Sequence, residues 1–199
     1  MPYGIIGRKH SMSRIFQEDG VVVPITLVKC EDNLIKQIKT SEKDGYNSVV
    51  LAIEPLKKTT KTKKFRVIKE ISIPQDQKDL KVGENVTVKD FKDVDTVEIV
   101  SIAKGKGFQG VIKRHKFHRG PMTHGSHHHR APGSVGACVW PGRVMKGQKL
   151  PGRMGGQRVT LKSVPVVDIY PEENMIALKG PVPGSRNSLV EIIVKTVKS

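Results

Sequence analysis

The residues most able to do chemistry sit close together: His124-Gly-Ser-His127-His128-His129-Arg130, with six of the chain's seven histidines falling between Lys104 and Arg158. Clustered imidazoles suggest a zinc site, and zinc suggests a hydrolase or nuclease. The spacing argues against both. Adjacent histidines point in different directions, no Cys pair lies nearby, and no HExxH pattern occurs. General acid–base or metal-assisted hydrolysis would also need a carboxylate close by, and none lies between Glu98 and Asp168. We therefore expect no catalytic residue, no metal and no cofactor.

The same acid-free stretch holds 13 lysines and arginines between positions 99 and 167, and 12 of the 19 glycines. Ala103-Lys-Gly-Lys-Gly-Phe-Gln-Gly110 resembles a mononucleotide loop at first sight. GxxxxGK[ST] is absent and no Walker-type carboxylate can follow within the acid-free stretch, so the phosphates it suits belong to a polymer. Glycine lets a backbone approach phosphate closely, and each lysine adds a point charge on a flexible stem. The residues expected to contact RNA are Lys104, Lys106, Lys113, Arg114, His115, Lys116, Arg119, His124, His127, His128, His129, Arg130, Trp140, Arg143, Lys146, Lys149, Arg153 and Arg158. Histidine contributes a compact donor that gains a proton near concentrated phosphate. RNA affinity should then depend on pH between about 5.5 and 7.5, around the reference imidazole value near 6.5. Phe108 and Phe117 read as anchors at the base of the segment or as rings that stack on bases, and Trp140 as a stacking or tip residue.

Composition supports a polyanionic partner. The 199 residues carry 35 Lys+Arg against 19 Asp+Glu, a formal net charge of +16. Apolar residues make up only 37%, lean for one compact globule. No run of about 18 apolar residues exists, so no membrane partner is expected. Met1-Pro2-Tyr3-Gly4 does not look like a leader, and Cys30 and Cys138 form no metal or disulfide pattern, both of which fit a cytoplasmic address.

The elements that must position this segment are strands. Short β-branched runs at 21–28, 47–53, 65–73, 84–88 and 95–103 precede it, and 159–170, 175–179 and 189–197 follow it. Pro24 and Pro74 restrict two of these to edges, ends or bulges. The fold expected is mostly β: a small antiparallel barrel of residues 1–103 and 159–199, sharing one core, with a long irregular basic extension, 104–158, inserted between its strands. Pro-Gly turns between single basic residues leave the extension little apolar surface to bury, so it should order on its partner. Doubled back, its 55 residues reach at most about 90 Å at roughly 3.3 Å per residue. A second basic patch, residues 54–64 with five lysines, reads equally as a solvated loop or a phosphate contact.

Gly4-Ile-Ile-Gly-Arg-Lys9, Ala103 to Gly110, Thr123-His-Gly-Ser126, His129-Arg-Ala-Pro-Gly-Ser134, Pro141-Gly-Arg-Val-Met-Lys-Gly147 and Met154-Gly-Gly-Gln-Arg-Val159 occur in this order along the chain. Together they resemble the bacterial form of the universal ribosomal protein L three family, over essentially the whole length. The resemblance implies a translation-factor-like barrel in the large ribosomal subunit, direct binding to 23S ribosomal RNA and an early role in assembly. It also implies an extension toward the peptidyl transferase centre, its tip near Cys138, Val139 and Trp140. Implied neighbours are the fourteenth and nineteenth large-subunit proteins; no stable homo-oligomer is implied. The opening motif departs at His10-Ser11. Many bacterial relatives carry a methylated glutamine where this chain has Val139, so that modification is not expected. Two other classes fit parts of the pattern: a metal-dependent hydrolase using the His124–His129 cluster, and a duplex-DNA-compacting protein. The first lacks carboxylates, and the second lacks a recognition helix.

Overall fold

The computed structural model describes residues 3–60, 63–73 and 80–197. The reading of Pro74 and part of the 54–64 lysine patch, Lys61 included, lie outside the described residues. Strands dominate, in chain order: β1 (Gly4–Phe16), β2 (Val22–Lys29), β3 (Asn33–Lys39), β4 (Ser48–Pro55), β5 (Phe65–Ser72), β6 (Asn85–Val86), β7 (Val94–Ile102), β8 (Phe108–Gln109), β9 (Gly152–Arg153), β10 (Arg158–Tyr170), β11 (Met175–Lys179) and β12 (Leu189–Val197). Two short helices, α1 (Ser41–Asp44) and α2 (Val111–His115), and a 3₁₀ turn at Val88–Phe91 complete the described elements.

Six strands close into an antiparallel barrel in the order β1-β12-β7-β10-β11-β2. Strands from before and after the basic stretch are interleaved around it. β12 lies between β1 and β7, with Ile5 opposite Ile192 and Ile192 opposite Ile99. β7 and β10 are antiparallel partners whose register begins at Ile102 opposite Arg158. Closure removes the edges that six isolated strands would expose.

The remaining long strands leave the barrel, contrary to the expectation that all strands before residue 103 share it. β3, β4, β5 and β6 form a separate four-stranded sheet in the order β5-β4-β3-β6. The reason is visible in β4: Ser48 to Ile53 are all buried, the pattern of a strand covered on both faces rather than one. The apolar side chains of this sheet, Ile35, Leu51 and Ile71 among them, join Ile5, Val28, Val97, Ile99, Leu178 and Ile192 of the barrel in one hydrophobic cluster. Sequence before and after the basic stretch therefore shares a core. Each fully buried Ile, Leu or Val in it contributes about 1.5–3 kcal/mol of transfer free energy.

Four carboxylates of this part are paired locally. Glu54 binds Arg8 through a charge-assisted hydrogen bond, which together with their attraction holds its carboxyl below the usual range, and Arg66 lies 3.7 Å away. Glu191, nearly buried, meets Lys69 at 3.1 Å and Arg158 at 3.5 Å. Lys39 pairs with Glu70 at 2.8 Å, and Lys195 with Glu98 at 3.1 Å.

By its internal contacts the chain divides into two compact units, residues 1–102 with 158–199, and residues 103–157. The second unit is mostly irregular, with only β8, β9 and α2 as regular elements.

Candidate nucleic-acid interface

Residues 103–157 contain no Asp or Glu. Ten of their basic side chains, Lys104, Lys106, Lys113, Lys116, Arg119, Arg130, Arg143, Lys146, Lys149 and Arg153, take part in no ion pair or side-chain hydrogen bond among the described residues. Such a surface lacks internal counter-charge and leaves its cations to an outside polyanion. Val111 is the one buried residue of the segment, at 1% exposure.

Hydrogen bonds lace the segment to itself at three places. At its base, the Ala103 amide donates to the Gln157 carbonyl at 2.9 Å, Lys106 to Met154 at 2.9 Å, and Met154 to Gly107 at 2.9 Å. β8 then pairs with β9 through Phe108 opposite Arg153. Lys104, Lys106 and Arg153 project from this ladder as exposed side chains. Gly155, with φ +74°, lies where any Cβ would overlap the Lys104 carbonyl, so only glycine permits the crossing.

Beyond the ladder, Gly110 caps α2, and Lys116 with φ +59° ends it. Lys113, Arg114 and His115 occupy its last turn. Arg114 Nη1 donates to the Leu150 carbonyl at 2.8 Å, and His115 Nε2 lies 3.0 Å from the same oxygen. His115 also faces the Phe117 ring, centroids 6.2 Å apart.

The histidine cluster forms a small hairpin. The Gly120 amide donates to the His129 carbonyl at 3.1 Å, and Ser126 to Thr123 at 3.4 Å. His124 and Gly125 both take left-handed backbone, φ +57° and +71°, as a two-residue turn of this hand requires. His124, His127 and His128 are exposed, whereas His129 is half-buried with Nδ1 2.9 Å from the Pro121 carbonyl. Among the described residues no group of three or more His, Cys, Asp or Glu could hold a metal ion.

From 131 to 149 the lacing thins to short local bonds, Ser134 Oγ to Gly136 and the Gln148 amide to Met145. Here Val139 is 89% exposed and Trp140 86%. Arg130, Arg143, Lys146 and Lys149 are exposed around them.

Three placements differ from the sequence reading. Phe108 is 75% exposed, and the buried apolar residue of the segment is Val111. Arg158 lies in the other unit, at the start of β10 and beside Glu191. Glycines at 120 and 155 serve chain crossings within the segment, since a Cβ at either would overlap a carbonyl of the segment itself. Sequence reasoning also missed Leu150, whose role rests on a backbone carbonyl that no residue type announces.

Comparison with known proteins bears on the whole chain. A family model described as Ribosomal protein L3 matches residues 28–172. The chain is 44% identical over 214 aligned positions to the Large ribosomal subunit protein uL3 of Geobacillus sp. (strain WCH70), covering 100% of this chain and 99% of that one. To the Large ribosomal subunit protein uL3 of Streptococcus mutans serotype c (strain ATCC 700610 / UA159) it is 43% identical over 208 positions, again covering 100% and 99%.

Proposed function

The chain belongs to the ribosomal protein L3 family, and from that premise we propose that residues 104–158 form an extension that runs through 23S ribosomal RNA toward the peptidyl transferase centre. Membership makes the chain a structural constituent of the large ribosomal subunit, active in translation and not an enzyme, and in a bacterium it places the chain in the cytoplasm. In this reading residues 1–103 and 159–199 are a translation-factor-like barrel domain that engages the subunit early in assembly. The fourteenth and nineteenth large-subunit proteins are its neighbours.

The observation that carries the reading is ten cations, unpaired among the described residues, in a segment without a single carboxylate. Lysine and arginine neutralise phosphates and release counterions. Exposed Trp140 offers a face for an unstacked base, and the hairpin presents His124, His127 and His128 to phosphate or 2′-hydroxyl groups. The test is competition: the purified chain is bound to 23S-type RNA and challenged with duplex DNA, and a preference for the duplex overturns the proposal. Affinity is then followed from pH 5.5 to 7.5; a flat profile removes the histidines from the interface.

A further inference from the structure

Arg114 and His115 are consecutive in sequence, yet both side chains turn to one backbone oxygen, the carbonyl of Leu150, at 2.8 and 3.0 Å. A carbonyl only accepts, so His115 Nε2 carries its proton there whether the ring is neutral or charged. The two donors join the end of α2 to the returning chain, 36 and 35 residues away. Two residues further along, Gly152 lies against the Arg114 guanidinium, and a Cβ at that position would overlap it. Both side chains are half-buried, while neighbouring Lys113 and Lys116 are exposed and take no side-chain partner among the described residues. Within one basic run the structure thus separates two side chains turned inward from two turned outward.

We propose that Arg114 and His115 are positioning residues: they clamp the segment at Leu150 and set the path along which the other cations meet phosphate, without neutralising a phosphate themselves. This rests on the RNA-binding reading above and refines it, because a charge count alone would give every cation the same role. Salt dependence separates the roles. Each phosphate-contacting cation removed lowers the slope of log K against log salt by about 0.7–0.9. Loss of a clamp lowers affinity equally at every salt concentration and leaves the slope unchanged.

The experiment compares Arg114→Gln, Gly152→Ala and Arg143→Gln in the full chain, titrated with 23S-type RNA from 50 to 200 mM salt. Gly152→Ala alters no charge but displaces the guanidinium, so it reports on the clamp even where Arg114→Gln misfolds. Both clamp variants should bind roughly threefold to tenfold more weakly, the worth of one modest hydrogen bond, at a wild-type slope. Arg143→Gln should reduce the slope by about 0.7–0.9. His115→Gln keeps an N–H donor and should restore the affinity that His115→Leu loses. A slope reduced by Arg114→Gln, or wild-type binding by Gly152→Ala, overturns the proposal. The RNA-free chain supplies a separate readout: the His115 Nε2 proton should exchange slowly with solvent, and rapid exchange rejects the clamp. A chain indifferent to ribosomal RNA would remove the functional reading and leave this last measurement to decide.

Discussion

Replacing Ala103–Gln157 by Asn-Gly would test the division of labour between the two units. The register makes the replacement possible, because Ile102 and Arg158 are direct antiparallel partners in β7 and β10, and Asn-Gly is a favoured two-residue hairpin turn. No residue of the hydrophobic clusters lies in the deleted segment. The exchange removes eleven cations and no carboxylate, taking the net charge from +16 to +5. Shortening a loop from 55 residues to two spans nearly five halvings. At about 0.6 kcal/mol each, that lowers the closure cost by about 3 kcal/mol. For a domain of this size the melting temperature should rise on the order of 6 to 12 °C. RNA binding should move the other way. Were each of the ten unpaired cations to meet a phosphate, they would supply a slope of about 7 to 9, or roughly 10⁴- to 10⁵-fold in affinity between 50 and 200 mM salt. Thermal melting by circular dichroism and binding titrations at several salt concentrations read both quantities. A variant that is unfolded, or that melts below the full chain, would show that the barrel needs the segment. One that keeps the full slope would show that the RNA contacts lie elsewhere.

Acid should destabilise the chain in a defined window. Hydrogen bonds from Lys39 and Ser48 hold the Glu70 carboxyl down at about 2, and Arg8 holds Glu54 below its ordinary value. Carboxyls depressed by folding stabilise above their unfolded value near 4.3, and that stability is lost as pH falls through the folded values. Denaturant midpoints should therefore drop between pH 4.5 and 2, and Glu54→Gln with Glu70→Gln should flatten the drop; an unchanged profile would deny these pairs a role. A thiol-reactive probe should label exposed Cys138 readily and leave Cys30 untouched until unfolding, because burial pushes the Cys30 thiol up. Equal labelling of both in the native chain would contradict the packing.

The strands that could be read from sequence were those with short apolar, mostly β-branched runs bounded by turns. The 175–179 and 189–197 runs match β11 and β12, and 65–73 matches β5 to within a residue. β1 escaped notice because Gly4, Gly7, Arg8, Lys9, His10 and Ser11 break any alternation, while its Ile5 and Ile6 are buried together. β3 was missed because Leu34-Ile-Lys-Gln-Ile-Lys39 shows no apolar–polar alternation and carries two lysines. In the basic segment, charge and glycine content were legible from composition, but the self-lacing was not. Backbone carbonyls at Leu150, Pro121 and Met154 do that work, and every residue type carries the same carbonyl.

The position of β12 governs the order of events during synthesis. It is the last made of the six barrel strands, yet it lies between β1 and β7, two of the first three made. Until Leu189–Val197 emerges, β1 and β7 present open edges, and the barrel stays unclosed while the basic segment has already left the exit tunnel. In the RNA-binding reading proposed above, RNA can reach that segment before the barrel closes. Synthesis order thus makes β12 the closing strand, and the edges of β1 and β7 stay available for mispairing until it arrives.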